Sequence, residues 1–189
     1  MKKGTWVILC VVAVVVVLVI ASIGSYNNLV SARENIDGLL ANIDTQLQRR
    51  NDLIPNIVNT VKGYTSHESE VLENVSDARA KLAGATTTEE KSAADTELTS
   101  ALSRLLMVVE NYPELKADTQ FSALTDELAG TENRIAVARK DYNDAAQQYN
   151  AAIKKFPKVI FASLFGFEKA DYFQAEEGAQ QAPSVNFDE

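Results

Sequence analysis

The sequence predicts an all-α protein: an N-terminal transmembrane helix followed by an antiparallel four-helix bundle with long first and fourth helices. Three observations predict it. An unbroken apolar run opens the chain, apolar residues return every three or four positions from Tyr26 to Phe156, and no β-rich alternation precedes Lys158. On that basis the chain divides into an anchor over residues 1–24, a helical bundle over 25–157, an apolar segment over 158–175 and a polar tail over 176–189.

The anchor comes first. Lys2 and Lys3 precede Trp6 to Ile23, a run in which Ser22 is the only polar side chain. As a helix it rises roughly 27 Å, close to the hydrocarbon thickness of a bilayer. Strands of that length are rare. A cleaved signal peptide has a shorter apolar core of about 7–15 residues, so residues 6–23 are expected to stay in the lipid. Cys10 is the only cysteine, which leaves no internal disulfide and no cysteine metal cluster. The two lysines outweigh Arg33 on the other side. That bias favours a single-pass protein of the cell membrane with a cytoplasmic N-terminus and an extracytoplasmic body.

Charge narrows the partners. The formal net charge is −8, and the anchor contributes only positive charge to it. An acidic body repels nucleic-acid phosphates, and no arginine-rich stripe offsets this, so nucleic acid is not an expected partner.

The first helix of the body carries two heptad series. One is Tyr26, Arg33, Leu40, Leu47, Ile54, Val61, and the other is Leu29, Ile36, Ile43, Arg50, Ile57, Tyr64. Together they form one seam, which a coiled coil between chains would also explain. Gly24 and Ser25 are too brief for a flexible stalk. A second helix is expected from near Ser66 to Gly84, with Val71, Leu72, Val75, Ala78 and Leu82 on its apolar face. Thr87 and Glu90 have the spacing of a capping box for the third helix, whose face runs Ala94, Leu98, Ala101, Leu102, Leu105, Leu106, Val109. After Asn111-Tyr112-Pro113, the irregular stretch ELKAD leads to a fourth helix. Its stripe runs from Phe121 through Leu128, Ile135, Tyr142 and Tyr149 to Phe156, where Pro157 stops it.

Pro55 interrupts this scheme. In a helix interior proline removes the amide bond to the carbonyl four residues back, here Asn51, at a cost of around 3 kcal/mol. Yet Ile54, Ile57, Val58 and Val61 keep the same face on both sides of it. The expected outcome is a kinked but continuous helix, with Asn51, Asn56 or water satisfying the freed carbonyl. A groove opened by the kink is the functional alternative.

The tail segment KKFPKVIFASLFGFEKADYFQ has bulky apolar groups on almost every side of a short helix from Val159 to Phe167. Such a segment needs a partner in water. Packing on the bundle and docking into membrane or protein, aided by Lys154, Lys155 and Lys158, both satisfy that need.

Catalytic patterns are missing. His67 is the only histidine and HESEV lacks the second histidine of a helical zinc motif. There is no G-x-S-x-G elbow and no glycine-rich phosphate loop. Glu89 with Glu90, and Glu176 with Glu177, read as solvated faces, since helical neighbours point about 100° apart. No catalytic residue, metal or cofactor is expected. Arg50 lies on the seam itself and should carry its stem across apolar surface to an acidic mate, with Asp77, Glu97 and Glu110 as candidates.

YNNLVSAREN, QRRNDLIPNIVNTVKGYTSHE, ENYPELKAD, FPKVIFASLFGFEKADYFQ and the closing NFDE, with Pro183 and Val185 before it, resemble the LemA family. The resemblance implies a membrane-anchored helical domain and no catalytic or cofactor-binding set. Residues matching its central motif are Arg50, Asp52, Pro55, Asn56, Lys62, Gly63, Tyr64, His67 and Glu68. They are candidate interaction or structural residues. The expected function is a membrane-anchored interaction or scaffold protein, bound to the lipid bilayer through residues 6–23 and to a protein partner or a second copy. Structural self-assembly at a membrane or envelope is the alternative, and an unfamiliar enzyme the remainder.

Overall fold

The computed structural model describes residues 3–65 and 68–173. Among these, α1 (Lys3–Tyr64), α2 (Ser69–Gly84), α3 (Thr88–Val109), α4 (Pro113–Lys116), α5 (Thr119–Ala152) and α6 (Lys158–Phe165) follow in order, with no strand. The all-α class read from the sequence is the one observed. Helix α1 runs without interruption through Gly24, Ser25 and Pro55.

Three boundaries differ from the sequence reading. Helix α2 starts at Ser69, and Ser66 lies outside the described residues. ELKAD is not irregular: Pro113 opens the helical turn α4, which the fixed φ of proline favours at a first helical position. Helix α5 ends at Ala152 rather than Phe156, with turns before α6. The apolar stripe had pointed to a later stop, because apolar spacing persists through a turn as well as through a helix.

The chain divides into two compact units. The larger holds Asn42–Arg139 with Tyr172 and Phe173. In it the second part of α1, α2, α3 and the first part of α5 form an antiparallel four-helix bundle. Cross-links set the directions. Arg50 with Asp95 and Lys91 with Asp44 lay α3 alongside α1 in the same sense. Lys81 with Glu97 joins α2 to α3 as a hairpin. Arg49 with Glu127 and Tyr64 with Asp118 run α5 opposite to α1. The core takes Leu47, Ile54, Ile57 and Val61 from α1, Leu72, Val75 and Leu82 from α2, Leu98, Leu102 and Leu105 from α3, and Phe121, Leu128 and Ile135 from α5. Each such side chain contributes about 1.5–3 kcal/mol on burial. Thr87 caps α3 as its spacing predicted, accepting from the Glu90 amide at 3.1 Å while Glu90 Oε2 accepts from the Thr87 amide at 3.0 Å.

The second unit holds α1 up to Ala41 together with Lys140–Asp171. Leu29 and Ile36 of α1 are buried here, as are Tyr142, Ala146, Tyr149 and Ile153 of α5. Along the apolar run Val11, Val14, Val17 and Ile20 are exposed. That stretch has mean hydropathy 3.0 with none of it buried, so α1 is long and apolar enough to cross a membrane. After α6, Gly166 adopts φ 71°, the left-handed conformation that favours glycine, and Phe167 N donates back to Ala162 O at 2.9 Å. The chain then passes along α5. Asn150 clamps Ala170 through two hydrogen bonds, its Nδ2 donating to the carbonyl at 2.8 Å and its Oδ1 accepting from the amide at 2.9 Å. Tyr142 Oη donates to Asp171 O at 2.9 Å.

Candidate functional site

The motif residues of α1 divide into three groups by what they touch. The first is a buried charge cluster around Arg50. Arg50 sits on the apolar seam, and its side chain is 3% exposed against 1% for Asp95. Its Nη1 donates to Asp95 Oδ1 at 2.6 Å and lies 2.7 Å from Glu132 Oε2, while Nη2 donates to Thr99 Oγ1 at 2.9 Å. Arg139 engages the other oxygen of Asp95, and its guanidinium lies 5.5 Å from the centroid of the Phe173 ring. Two guanidinium groups and two carboxylates thus balance, which is what makes a charge tolerable in an apolar core.

None of the three mates read for Arg50 serves. Asp77, Glu97 and Glu110 give way to Asp95 and Glu132. The signal for Asp95 was present: it lies three and seven residues from Leu98 and Leu102, a carboxylate on an apolar face, as Arg50 is a cation on one. Glu132 and Arg139 flank the buried positions Ile135 and Ala138, and nothing in the linear pattern aims them at Arg50.

The second group surrounds Pro55. The carbonyl of Asn51, without its amide partner at position 55, accepts a hydrogen bond from Arg79 Nε at 3.0 Å. The donor comes from α2, not from the Asn51 or Asn56 side chain. Asp52 accepts from Gln48 Nε2 at 2.8 Å on the exposed side of the same helix. Asn56 is exposed and borders an open groove of about 550 Å³ between α1 and α5, whose walls are Leu53, Asn59, Thr60, Gln120, Ala123, Leu124 and Glu127. Leu53 and Leu124 are half-buried, and Asn56, Asn59 and Gln120 are exposed.

The third group lies at one end of the bundle, where QRRNDLIPNIVNTVKGYTSHE meets ENYPELKAD. Tyr64 Oη donates to Asp118 Oδ2 at 3.0 Å, and Asp118 Oδ1 accepts from the Phe121 amide at 2.8 Å, capping the first turn of α5. Tyr112 Oη donates to Glu68 Oε1 at 3.1 Å. The Phe121 amide, then the Tyr64 hydroxyl, hold the Asp118 carboxyl below its usual range. Their acceptors in turn raise the Tyr64 and Tyr112 phenols, chiefly through the hydrogen bonds themselves. Lys62 and Gly63 are exposed. His67, Glu176, Glu177, Pro183 and Val185 lie outside the described residues.

These groups fix one helix against the others and leave a groove between α1 and α5. Among the described residues no three His, Cys, Asp or Glu side chains converge as a metal set. The profile of the LemA family matches residues 39–187, from the first bundle residues to the closing motif. The chain belongs to the LemA family. It is similar to "Magnetosome protein MamQ 2" of Paramagnetospirillum magneticum, 29% identical over 186 residues, which cover 85% of this chain and 68% of that protein. It is similar to "Magnetosome protein MamQ" of Magnetospirillum gryphiswaldense at 27% identity, with the same shares covered. "Protein LemA" of Metamycoplasma hominis is 26% identical over 160 residues, covering 82% of this chain and 71% of that protein. Within this chain, the buried Arg50 cluster and the Tyr64 and Glu68 links both fall inside the matched region.

Proposed function

We propose that this protein is a single-pass membrane scaffold. Residues 6–23 hold it in the bilayer, and its helical domain, residues 25–157, binds a protein partner beside the lipid. The reading is non-enzymatic. The observation that carries it is the open groove between α1 and α5 that Asn56 borders. Leu53, Ala123 and Leu124 give it apolar surface, while Asn56, Asn59, Thr60 and Gln120 offer donors and acceptors at its edge. Amide side chains over a short apolar surface suit a polypeptide segment, whose main chain needs both kinds of hydrogen-bonding partner. Confinement to the membrane raises the effective concentration of any partner already there.

The lysines before the apolar run favour a cytoplasmic N-terminus and an extracytoplasmic body, which protease accessibility in intact and opened cells reads directly. The groove is tested by a photocrosslinking side chain placed at Asn59 or Gln120 in cells, with Met107 as the exposed comparison position. A discrete adduct from the groove positions, absent at Met107 and lost on Leu124→Glu, is the expected result. Groove positions that yield no discrete adduct would remove the partner reading. An adduct at twice the chain mass would move the protein to self-assembly.

A further inference from the structure

Helix α6 leaves most of its bulky apolar residues exposed, with Phe161 half-buried. Leu164 is 72% exposed, Phe165 55% and Ile160 53%, and Phe156 just before the helix is 80% exposed. Only Ala162 within α6 is buried. This is the reverse of an amphipathic helix packed on its own protein, whose bulky residues face inward. Water is a poor neighbour for such a surface, at roughly 25 cal/mol for each Å² of apolar area.

The contacts of α6 place it at one level of α1. The Phe165 ring meets Tyr26 edge-to-face with centroids 4.8 Å apart, and Phe167 meets the same ring at 5.8 Å. At the other end of α6, Lys158 Nζ donates to Asn28 Oδ1. Tyr26 and Asn28 share a single turn of α1, so both ends of the short helix are tied to that turn. Ile23 closes the apolar run three residues before Tyr26, which is about 4.5 Å of helical rise. If the run spans the bilayer, α6 lies at the depth where acyl chains give way to headgroups. Aromatic rings gather at that depth, and lysines near it extend toward phosphate. Lys154 and Lys155 are exposed in the turn preceding α6.

We infer that α6 is an interfacial helix, with Ile160, Leu164 and Phe165 seated in the bilayer surface next to the transmembrane helix and Lys154 and Lys155, in the turn before it, facing lipid phosphate. This rests on the reading of residues 6–23 as the anchor. It adds a second lipid contact, which fixes the depth of the chain in the membrane.

The test uses the full chain reconstituted in phosphatidylcholine–phosphatidylglycerol vesicles. A nitrobenzoxadiazole label on the native Cys10 reads the anchor. In a Cys10→Ala background, the same label on Leu164→Cys reads α6, and on Met107→Cys it reads an exposed bundle position. The Leu164→Cys label should emit blue-shifted light, lose most of its intensity to lipids carrying a shallow nitroxide, and resist iodide. The Met107→Cys label should do the opposite. Adding Ile160→Asp should return the Leu164→Cys label toward iodide sensitivity. If the Cys10 label is quenched by lipid while the Leu164→Cys label is open to iodide, the interfacial helix is overturned and the anchor stands. If neither label meets lipid, both are overturned. A Leu164→Cys label shielded from lipid and iodide alike means that protein covers α6, either a second copy or a partner, and this also overturns the proposal.

Discussion

Arg79 donates from its Nε to the main-chain carbonyl of Asn51 at 3.0 Å, the acceptor that Pro55 deprives of its helical amide. The proline therefore does not simply weaken α1. It frees a carbonyl on the side of α1 that faces α2, and a guanidinium from α2 occupies it. An intrahelical bond has been exchanged for an interhelical one.

That exchange predicts coupling between the two positions. Arg79→Ala should cost about 1–2 kcal/mol where Pro55 is present, since a part-buried carbonyl then lacks a partner. With Pro55→Ala the amide at 55 can bond Asn51 again, and the same Arg79→Ala change should cost clearly less. Urea denaturation of the four variants measures the interaction. Equal costs in both backgrounds would show that Arg79 acts elsewhere.

Arg50 should be among the most sensitive positions in the bundle. Arg50→Ala leaves Asp95, 1% exposed, with Arg139 alone against its charge, and should destabilise by about 3 kcal/mol. Replacing both partners with apolar residues, Arg50→Met with Asp95→Leu, should recover part of that loss, because the two most buried charges leave together, while the Arg139 and Glu132 left behind, 20% and 43% exposed, reach solvent. Chemical denaturation decides between this and a surface role, for which Arg50→Ala would melt like the parent.

The α3 cap gives a pH signature. Backbone amides of Thr86 and Thr87 hold the Glu90 carboxyl at about 2, below its ordinary 4.5. A depressed folded pKa stabilises the fold above the unfolded value and loses that contribution as pH falls through the folded one. Stability should therefore decline between about pH 4.5 and pH 2, and Glu90→Gln should remove this part of the slope. Urea midpoints across that window are the measurement, and parallel curves for the two proteins would count against the cap.

Asn150 should secure the chain that follows α6. Asn150→Leu removes both bonds to Ala170 and leaves a buried main-chain amide and carbonyl unpaired, at a cost of about 1–3 kcal/mol. Hydrogen exchange should accelerate at Ala170 while the α2–α3 hairpin keeps its protection. Unchanged exchange at Ala170 would mean that packing alone holds the segment.

Most of the fold was legible in the sequence because the relevant signals are local. The 3.6-residue period marked the apolar faces, with Leu29, Ile36, Ile43, Ile54 and Ile57 all buried as their spacing requires, while Tyr26, Arg33 and Tyr64 of the same seam and Leu106 of the α3 face are exposed. Capping chemistry identified Thr87 and Glu90 from three-residue spacing alone. Continuity of the apolar face through Pro55 predicted a helix that does not stop there. Where the local signal was ambiguous the boundaries moved, as at Ala152, since an apolar turn has nearly the same spacing as a helix end.

By itself the sequence determined that the chain is helical, that its first helix is apolar enough to cross a membrane, and which face of each bundle helix is buried. The tertiary structure alone decided that Arg50 meets Asp95 and Glu132, that Arg79 answers Pro55, and that α6 keeps most of its bulky apolar residues exposed beside Tyr26. The reason is physical. Periodicity and capping depend on neighbours within a turn, whereas these pairings depend on the register at which one helix packs against another, and that register is set by the shapes of side chains far apart in the chain.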